Sequence, residues 1–325
     1  MQYRKFGRLG WNVSDIGFGA WAIGGGWGPT DDAQSLSALD RALDLGCNFI
    51  DTAQGYGDGR SERLIGQTLR GKKRDKVYVA TKIPPAAGPW PPSPYCRIDQ
   101  RYSESYLTDR VERSLRDLGT DCIDLLQLHT WTRAWNKNPD ALNILRKFQK
   151  HGKIRGIGIS TPEDDQDALV QLIREGWLDS VQVIYNIFEQ QPQGELFPAA
   201  KEHAVGVIVR CAFDESVLAG KLTEVSTFPE GDFRRRYFAG DRLERAVRRA
   251  AAVRETIGDR EPDMPTAALK FALKPAAVST VIPGIRNVAQ AEANFAVSDL
   301  PAMSDSLEAE LRSHAWRRYF WYAGK

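Results

Sequence analysis

Eight short runs rich in β-branched and apolar residues alternate with eight longer amphipathic stretches, and this alternation constrains the fold more than any other feature. The runs are residues 15–19, 48–51, 76–82, 122–128, 154–160, 181–184, 205–209 and 278–282. They are nearly continuous in apolar residues, as expected for parallel strands covered on both faces. The stretches between them, 32–45, 61–69, 106–118, 139–150, 162–175, 196–203, 242–257 and a last one at 288–296, read as helices. Leu36, Leu39, Leu43 and Leu45 recur at helical spacing behind Asp31 or Asp32 as N-cap, Pro162 stands in a first turn, and Gly119 ends a helix. Eight β/α units predict a closed (β/α)8 TIM barrel, since an open doubly wound sheet usually has fewer units and a reversal of strand order. A β-hairpin around residues 2–13 precedes the barrel, an extra C-terminal helix follows it, and residues 1–325 read as one barrel domain.

Composition narrows the class. Lys+Arg number 44 and Asp+Glu 42, a net charge of +2, so there is no reason to expect nucleic acid or an anionic membrane as partner. No run reaches the roughly 18 apolar residues of a membrane span, and Met1–Gly7 lacks a signal-peptide core. Cys47, Cys96, Cys122 and Cys211 show no metal-ligand spacing and are expected to be inert in a reducing, cytoplasmic setting; no metal is expected. Oligomeric state is not legible. Three segments break the alternation: 84–102, with six prolines from Pro84 to Pro94; 211–240, with the run Phe233-Arg234-Arg235-Arg236-Tyr237-Phe238; and 301–325, with Trp316, Tyr319, Phe320, Trp321 and Tyr322. With 130–138, the first two are expected as loops over the barrel mouth.

A barrel's active site lies at the C-terminal ends of its strands. There the sequence places Asp51 in Asp51-Thr52-Ala53-Gln54-Gly55-Tyr56-Gly57, Lys82, His129, Ser160-Thr161, Gln182 and Arg210. A carboxylate, a phenol, an ammonium and an imidazole thus converge on one mouth. A phenol titrates near ~10 and is a poor acid at neutral pH. An adjacent Lys82 ammonium would lower that value, and Asp51 would keep the ammonium charged. His129 would hydrogen-bond and orient a carbonyl. The set protonates a developing alkoxide but holds no electron source, so a cofactor must bring the hydride. A Schiff-base lyase or isomerase using Lys82 is the competing reading. The run Gly24-Gly25-Gly26-Trp27-Gly28 has neither GxGxxG nor a Walker lysine and reads as a flexible loop.

These residues carry a resemblance. Asp51, Thr52-Ala53 and Tyr56-Gly57, then Ala80-Thr81-Lys82, His129 after Leu125-Leu126-Gln127-Leu128, and Ile282-Pro283-Gly284-Ile285-Arg286 with Gln290 and Asn294 stand in the order found in aldo-keto reductases. The chain resembles that family from the first strand to the last barrel helix. The resemblance implies Tyr56 as general acid/base, Lys82 and Asp51 tuning it, and His129 steering the carbonyl. It implies that Gln182 and Ser160 bind the nicotinamide carboxamide. Thr161 replaces the usual Asn, and Arg210 the frequent stacking aromatic, so Arg210 is expected to stack on the ring or to meet an anionic group. Trp21, Cys211, Phe213, Pro283 and Gly284 fall on the expected cofactor path. Arg286 would contact a 2′-phosphate, with Gln290 and Asn294 beside the ribose phosphate and adenine, which implies NADPH/NADP as cofactor. Arginine presents a planar fork to phosphate, and a helix N-terminus favours an anion. Arg234–Arg236 read either as a solvated patch or as a clamp on the pyrophosphate. Trp27, Trp90, Trp131 and Trp135 are expected as walls of the substrate pocket, for a small-molecule carbonyl or sugar. The alternative from another class is a nicotinamide-binding regulatory protein like the β-subunits of channels.

Overall fold

A computed structural model describes residues 1–28, 30–70 and 74–322, apart from the Tyr319 side chain. That side chain and residues 323–325 of the expected tail lie outside the described residues. Strands β1 (Tyr3–Phe6) and β2 (Trp11–Ser14) form the expected antiparallel hairpin. The barrel strands are β3 (Phe18–Gly19), β4 (Phe49–Asp51), β5 (Tyr78–Ile83), β6 (Ile123–Leu128), β7 (Ile154–Ser160), β8 (Ser180–Ile184), β9 (Gly206–Arg210) and β10 (Val278–Val281). All pair in parallel in sequential order. Bridges Ile16–Val281 and Gly19–Gly284 join the two ends and close the barrel. The first strand reads Asp15-Ile16-Gly17-Phe18-Gly19 because the closure is tight: a Cβ on Gly19 would lie 2.6 Å from the Ile282 carbonyl oxygen.

The hairpin plugs the N-terminal end of the barrel. Phe6 is fully buried and stacks on Trp11 and on Phe49, the first residue of β4. Phe6, Val13, Phe49, Ala80, Leu125, Ile208 and Ile282 form the core inside the strands. With that end filled, the general rule for barrels leaves the C-terminal mouth as the place for a ligand.

The helices are α1 (Asp32–Asp44), α2 (Arg60–Leu69), α3 (Glu104–Leu118), α4 (Asp140–Lys150), α5 (Val170–Arg174), α6 (Leu196–Glu202), α7 (Phe233–Tyr237), α8 (Arg242–Ile257), α9 (Met264–Leu273), α10 (Val288–Ala296) and α11 (Asp305–Arg312). Asp31 caps α1 by accepting from the Gln34 amide at 2.9 Å. Two helical expectations need correction. The stretch 162–175 is helical only at α5, because Gln166 ties its side-chain amide to the Pro162 and Glu163 carbonyls and holds the first half in turns. The eighth unit was expected to follow α8 directly, but α9 intervenes and packs on β10, while α8 lies against α11. Helix α9 is apolar nearly all round (Met264-Pro265-Thr266-Ala267-Ala268-Leu269) and so shows no amphipathic stripe. Its signals were the Asp263 cap, which accepts from the Thr266 amide at 2.8 Å, and Pro265 in the first turn. Among the described residues, no helix is long and apolar enough to cross a membrane.

Candidate active site

Parallel register sets the strand ends side by side. Asp51 pairs with Ala80, Lys82 with Gln127, and Ser160 with Gln182. Beyond β4 the chain turns, and the Tyr56 amide donates to the Ala53 carbonyl at 3.0 Å. The glycine run after β3 is not a loose loop but the packing partner of this turn. A Cβ on Gly24 would lie 2.8 Å from the Tyr56 backbone, so only glycine lets the two segments meet. The His129 amide donates to the Ile83 carbonyl at 2.9 Å, which ties the end of β6 to that of β5.

Asp51, Tyr56, Lys82 and His129 are brought together. The Lys82 ammonium, fully buried, donates to Asp51 Oδ1 at 2.5 Å, to the Thr52 carbonyl at 2.8 Å and to the Tyr56 hydroxyl at 3.2 Å. That uses all three of its protons. Asp51 Oδ2 accepts from Gln182 at 2.7 Å and from Gln127 at 3.3 Å. The His129 ring lies 5.7 Å from the Tyr56 ring, and the Trp21 ring 6.4 Å from it on another side.

Electrostatics follow from burial. Burial opposes charge on Lys82, but Asp51 and Tyr56 outweigh it, and the ammonium is held above its ordinary value. Burial pushes the Asp51 carboxyl up, against the pull of Lys82 and both glutamines. For Tyr56 the balance differs from the sequence expectation. Burial raises the phenol above its ordinary value, and the pull of Lys82 only offsets part of that rise. Tyr56 is therefore a protonated hydrogen-bond donor at neutral pH, beside a cation that stabilises its anion once the proton leaves.

The expected cofactor residues run along one side of the mouth, from β7 round to α10. Ser160 is buried. The Thr161 hydroxyl turns inward to Gln166 Oε1 at 2.7 Å, away from the role the usual Asn has. Gln182 Nε2 donates to Asp51 Oδ2 at 2.7 Å, a bond the sequence did not indicate. Arg210 donates from Nη2 to the Thr161 carbonyl at 3.1 Å and lies 3.7 Å from the Cys211 thiol through Nη1, while its buried Nε has no hydrogen-bond partner among the described residues. Phe213 packs against the core, and the Pro283 carbonyl accepts from the Gly19 amide. Gly284 is open: a Cβ there would meet nothing within 4 Å. Arg286 donates to the Trp27 carbonyl at 3.0 Å, its own amide donates to Gln290 Oε1 at 2.8 Å, and Asn294 is buried on α10. The fork of Arg286, the open backbone at Gly284 and the unpartnered Arg210 Nε fit an elongated anionic nucleotide.

Of the expected pocket walls, Trp27 and Trp90 stand at the mouth. Trp27 carries the Arg234 guanidinium at 4.3 Å from its ring centroid, and that arginine is already paired with Asp232 at 2.7 Å. Trp131 and Trp135 are corrected. They are 0% and 4% exposed, pack edge to face at 5.2 Å, and donate to Asn136 Oδ1 at 2.8 Å and the Cys96 carbonyl at 2.7 Å. They support the loops from beneath. Trp131→Ala is thus expected to lower unfolding free energy by about 3–5 kcal/mol, read by urea denaturation. A changed KM at unchanged stability would return Trp131 to the pocket wall.

Sequence reasoning missed several contributors. Gln127 stood out only as an amide in an otherwise apolar strand. Asn186 donates to the Cys211 carbonyl at 2.8 Å. The tail reaches the loop after β9: Tyr322 donates to Glu215 Oε1 at 2.8 Å, and Arg318 pairs with Asp214. Nothing in local sequence paired these. Cys211, Asp214, Glu215 and Ser216 all have positive φ, a strained backbone that these contacts hold.

Comparisons with known proteins identify the family. Aldo-keto reductase YhdN of Bacillus subtilis (strain 168) is 34% identical over 236 residues, 72% of this chain and 69% of that one. The D-threo-aldose 1-dehydrogenase of a Pseudomonas species is 30% identical over 89% of this chain and 91% of its own. The NADH-specific methylglyoxal reductase of Escherichia coli (strain K12) is 26% identical over 91% and 95%. The solved glycerol dehydrogenase AKR11B4 from Gluconobacter oxydans superposes with a TM-score of 0.78 at 26% identity, covering 96% of this chain and 94% of that one. The sequence pattern of the aldo/keto reductase family matches residues 15–315, which includes every strand-end residue above. The chain belongs to the aldo/keto reductase family.

Proposed function

We propose that the chain is an NADP-dependent oxidoreductase that interconverts a carbonyl (aldehyde, ketone or sugar) and its alcohol, with Tyr56 as general acid/base. Residues 1–325 act as one catalytic unit. The observation that carries the reading is the Lys82 ammonium, 3.2 Å from the Tyr56 hydroxyl and 2.5 Å from Asp51, in a buried site. Bound along Arg210, Gly284, Arg286, Gln290 and Asn294, a nicotinamide would supply the hydride. The chain's own groups handle the proton. Tyr56 donates to the alkoxide oxygen as it develops, and Lys82 stabilises the phenolate left behind. Asp51 keeps Lys82 charged, and His129 orients the carbonyl. Trp21, 6.4 Å from the Tyr56 ring, and Trp90, 5.2 Å from the His129 ring, offer apolar surface beside these groups that would limit water. In the reverse direction the Tyr56 phenolate removes the proton of an alcohol. None of the four cysteines is in a disulfide, which suits a reducing cytoplasm.

NADPH is expected to quench tryptophan fluorescence at concentrations at least about tenfold below NADH, since charge-assisted hydrogen bonds to the 2′-phosphate contribute about 1.5–3 kcal/mol. Arg286→Ala should bring the two affinities together. Equal affinities in the parent protein would refute the phosphate role, and the relative named as NADH-specific makes this a real contest. Absorbance at the nicotinamide band, with a panel of aldehydes, sugars and polyols, tests the reaction. NADPH binding with no turnover on the whole panel would point instead to a redox-sensing regulatory protein.

A further inference from the structure

Three loops meet at one wall of the mouth: the Pro-rich loop after β5 with Trp90, the end of β6 with His129, and the turn after β7 with Glu163. The Trp90 indole N–H donates to Glu163 at 3.2 Å from Oε2 and 3.4 Å from Oε1. Glu163 is only 7% exposed. The Trp90 ring stands perpendicular to the His129 imidazole, with centroids 5.2 Å apart and an interplanar angle of 89°. The course of the Pro-rich loop is set by other groups. Buried Arg101 donates to the Ala86 carbonyl at 2.7 Å and the Pro89 carbonyl at 3.1 Å, and Tyr106 donates to the Pro84 carbonyl at 3.0 Å. What these bonds leave open is the rotation of the indole. An indole has a single donor, and its terminal torsion has broad, roughly twofold wells. A carboxylate on one side selects one well, through a charge-assisted bond that is stronger than a neutral one.

We propose that Glu163 is a positioning residue for the carbonyl reaction: by holding the Trp90 indole in one rotamer it fixes the orientation of His129 against the substrate oxygen. The sequence places a carboxylate three residues after Ser160 with no signal of this role, because its partner lies 73 residues away. The proposal rests on the carbonyl reading above, and its test is chosen to fail separately from it.

The variants are Glu163→Ala, Glu163→Gln, Trp90→Phe and the double variant Glu163→Ala/Trp90→Phe. The first readout is the His129 imidazole resonance in histidine-labelled protein; with four histidines in the chain, His129→Asn identifies it by loss. Glu163→Ala should move that resonance in the same direction as Trp90→Phe, the double variant should add nothing, and Glu163→Gln, which keeps an acceptor, should stay near the parent. The second readout is turnover. Glu163→Ala and Trp90→Phe should each lose about tenfold in kcat/KM, Glu163→Gln little, and the double about tenfold rather than a hundredfold, with the NADPH affinity of Trp90→Phe within about twofold of the parent. An unmoved His129 resonance in Glu163→Ala, or multiplicative losses in the double variant, would overturn the proposal. An inactive parent protein would refute the carbonyl reading instead, and the His129 resonance, which needs no turnover, still decides the link.

Discussion

Tyr56→Phe is expected to lower kcat for carbonyl reduction by about a thousandfold, within the range of about 10²–10⁴ that a positioned acid contributes. NADPH affinity should change little, because the ring remains and only the hydroxyl oxygen is lost. The phenol is the proton donor of the proposed reaction, and Lys82 contacts it at 3.2 Å. Losing it leaves the alkoxide to take a proton from water in a mouth lined by aromatic rings. The pH profile supplies an independent check. Burial holds the Tyr56 phenol above its ordinary value, and reduction needs the protonated form. Reduction should therefore stay flat across neutral pH and decline only as pH rises past the usual tyrosine value near ~10. Oxidation of an alcohol needs the phenolate and should rise over the same limb. Stopped-flow turnover of the variant within tenfold of the parent would remove Tyr56 as the acid.

Lys82→Met is expected to cost about 3–5 kcal/mol of stability together with nearly all activity, since it removes one partner of a buried ion pair. The pair is 2.5 Å long, with side chains 0% and 3% exposed. Without the ammonium, Asp51 keeps two glutamine donors but no counter-charge. Burial already pushes its carboxyl up, and with Lys82 gone nothing of like strength pulls it down. The folded state then holds a proton that the unfolded chain releases near pH ~3.9, so stability falls as pH rises through and above that value. The double variant Lys82→Met/Asp51→Asn should recover much of the stability and none of the activity. Urea midpoints at pH 5 and 8 read both effects. A Lys82→Met protein as stable as the parent at pH 8 would show that the pair is not as dry as the structure has it.

The clustered polar groups of the candidate site were legible for a physical reason. A buried parallel strand is a run of apolar residues, so a polar residue at its C-terminal end stands out, as Asp51, Lys82 and His129 do. On the side of the mouth proposed for the cofactor, the sequence showed the polar residues but not all of their bonds. Gln182 and Thr161 were visible at their strand ends, yet their side chains bond Asp51 and Gln166. Helix α9 was hidden because periodicity reports an interface between apolar and polar faces, and a helix covered nearly all round has none. The tail was visible as a cluster of aromatics, but not its seat on Asp214 and Glu215, about 100 residues earlier in the chain.

What the sequence determined by itself was topology and the list of reacting groups. Eight alternating units in a right-handed, sequential order leave only a closed barrel, and closure brings every strand end to one rim. What only the tertiary structure decided was the direction of each side chain at that rim. Trp90, Trp131 and Trp135 read alike in sequence. One faces the mouth against His129 and two lie beneath it, because loops without periodic pattern are folded by distant partners such as Glu163, Asn136 and the Cys96 carbonyl. The same holds for Tyr56: Lys82 on the next strand end predicts a phenol that titrates lower than usual, and the depth of its burial reverses the sign. Local sequence carries pattern, whereas desolvation and hydrogen-bond choice are sums over the whole packed molecule.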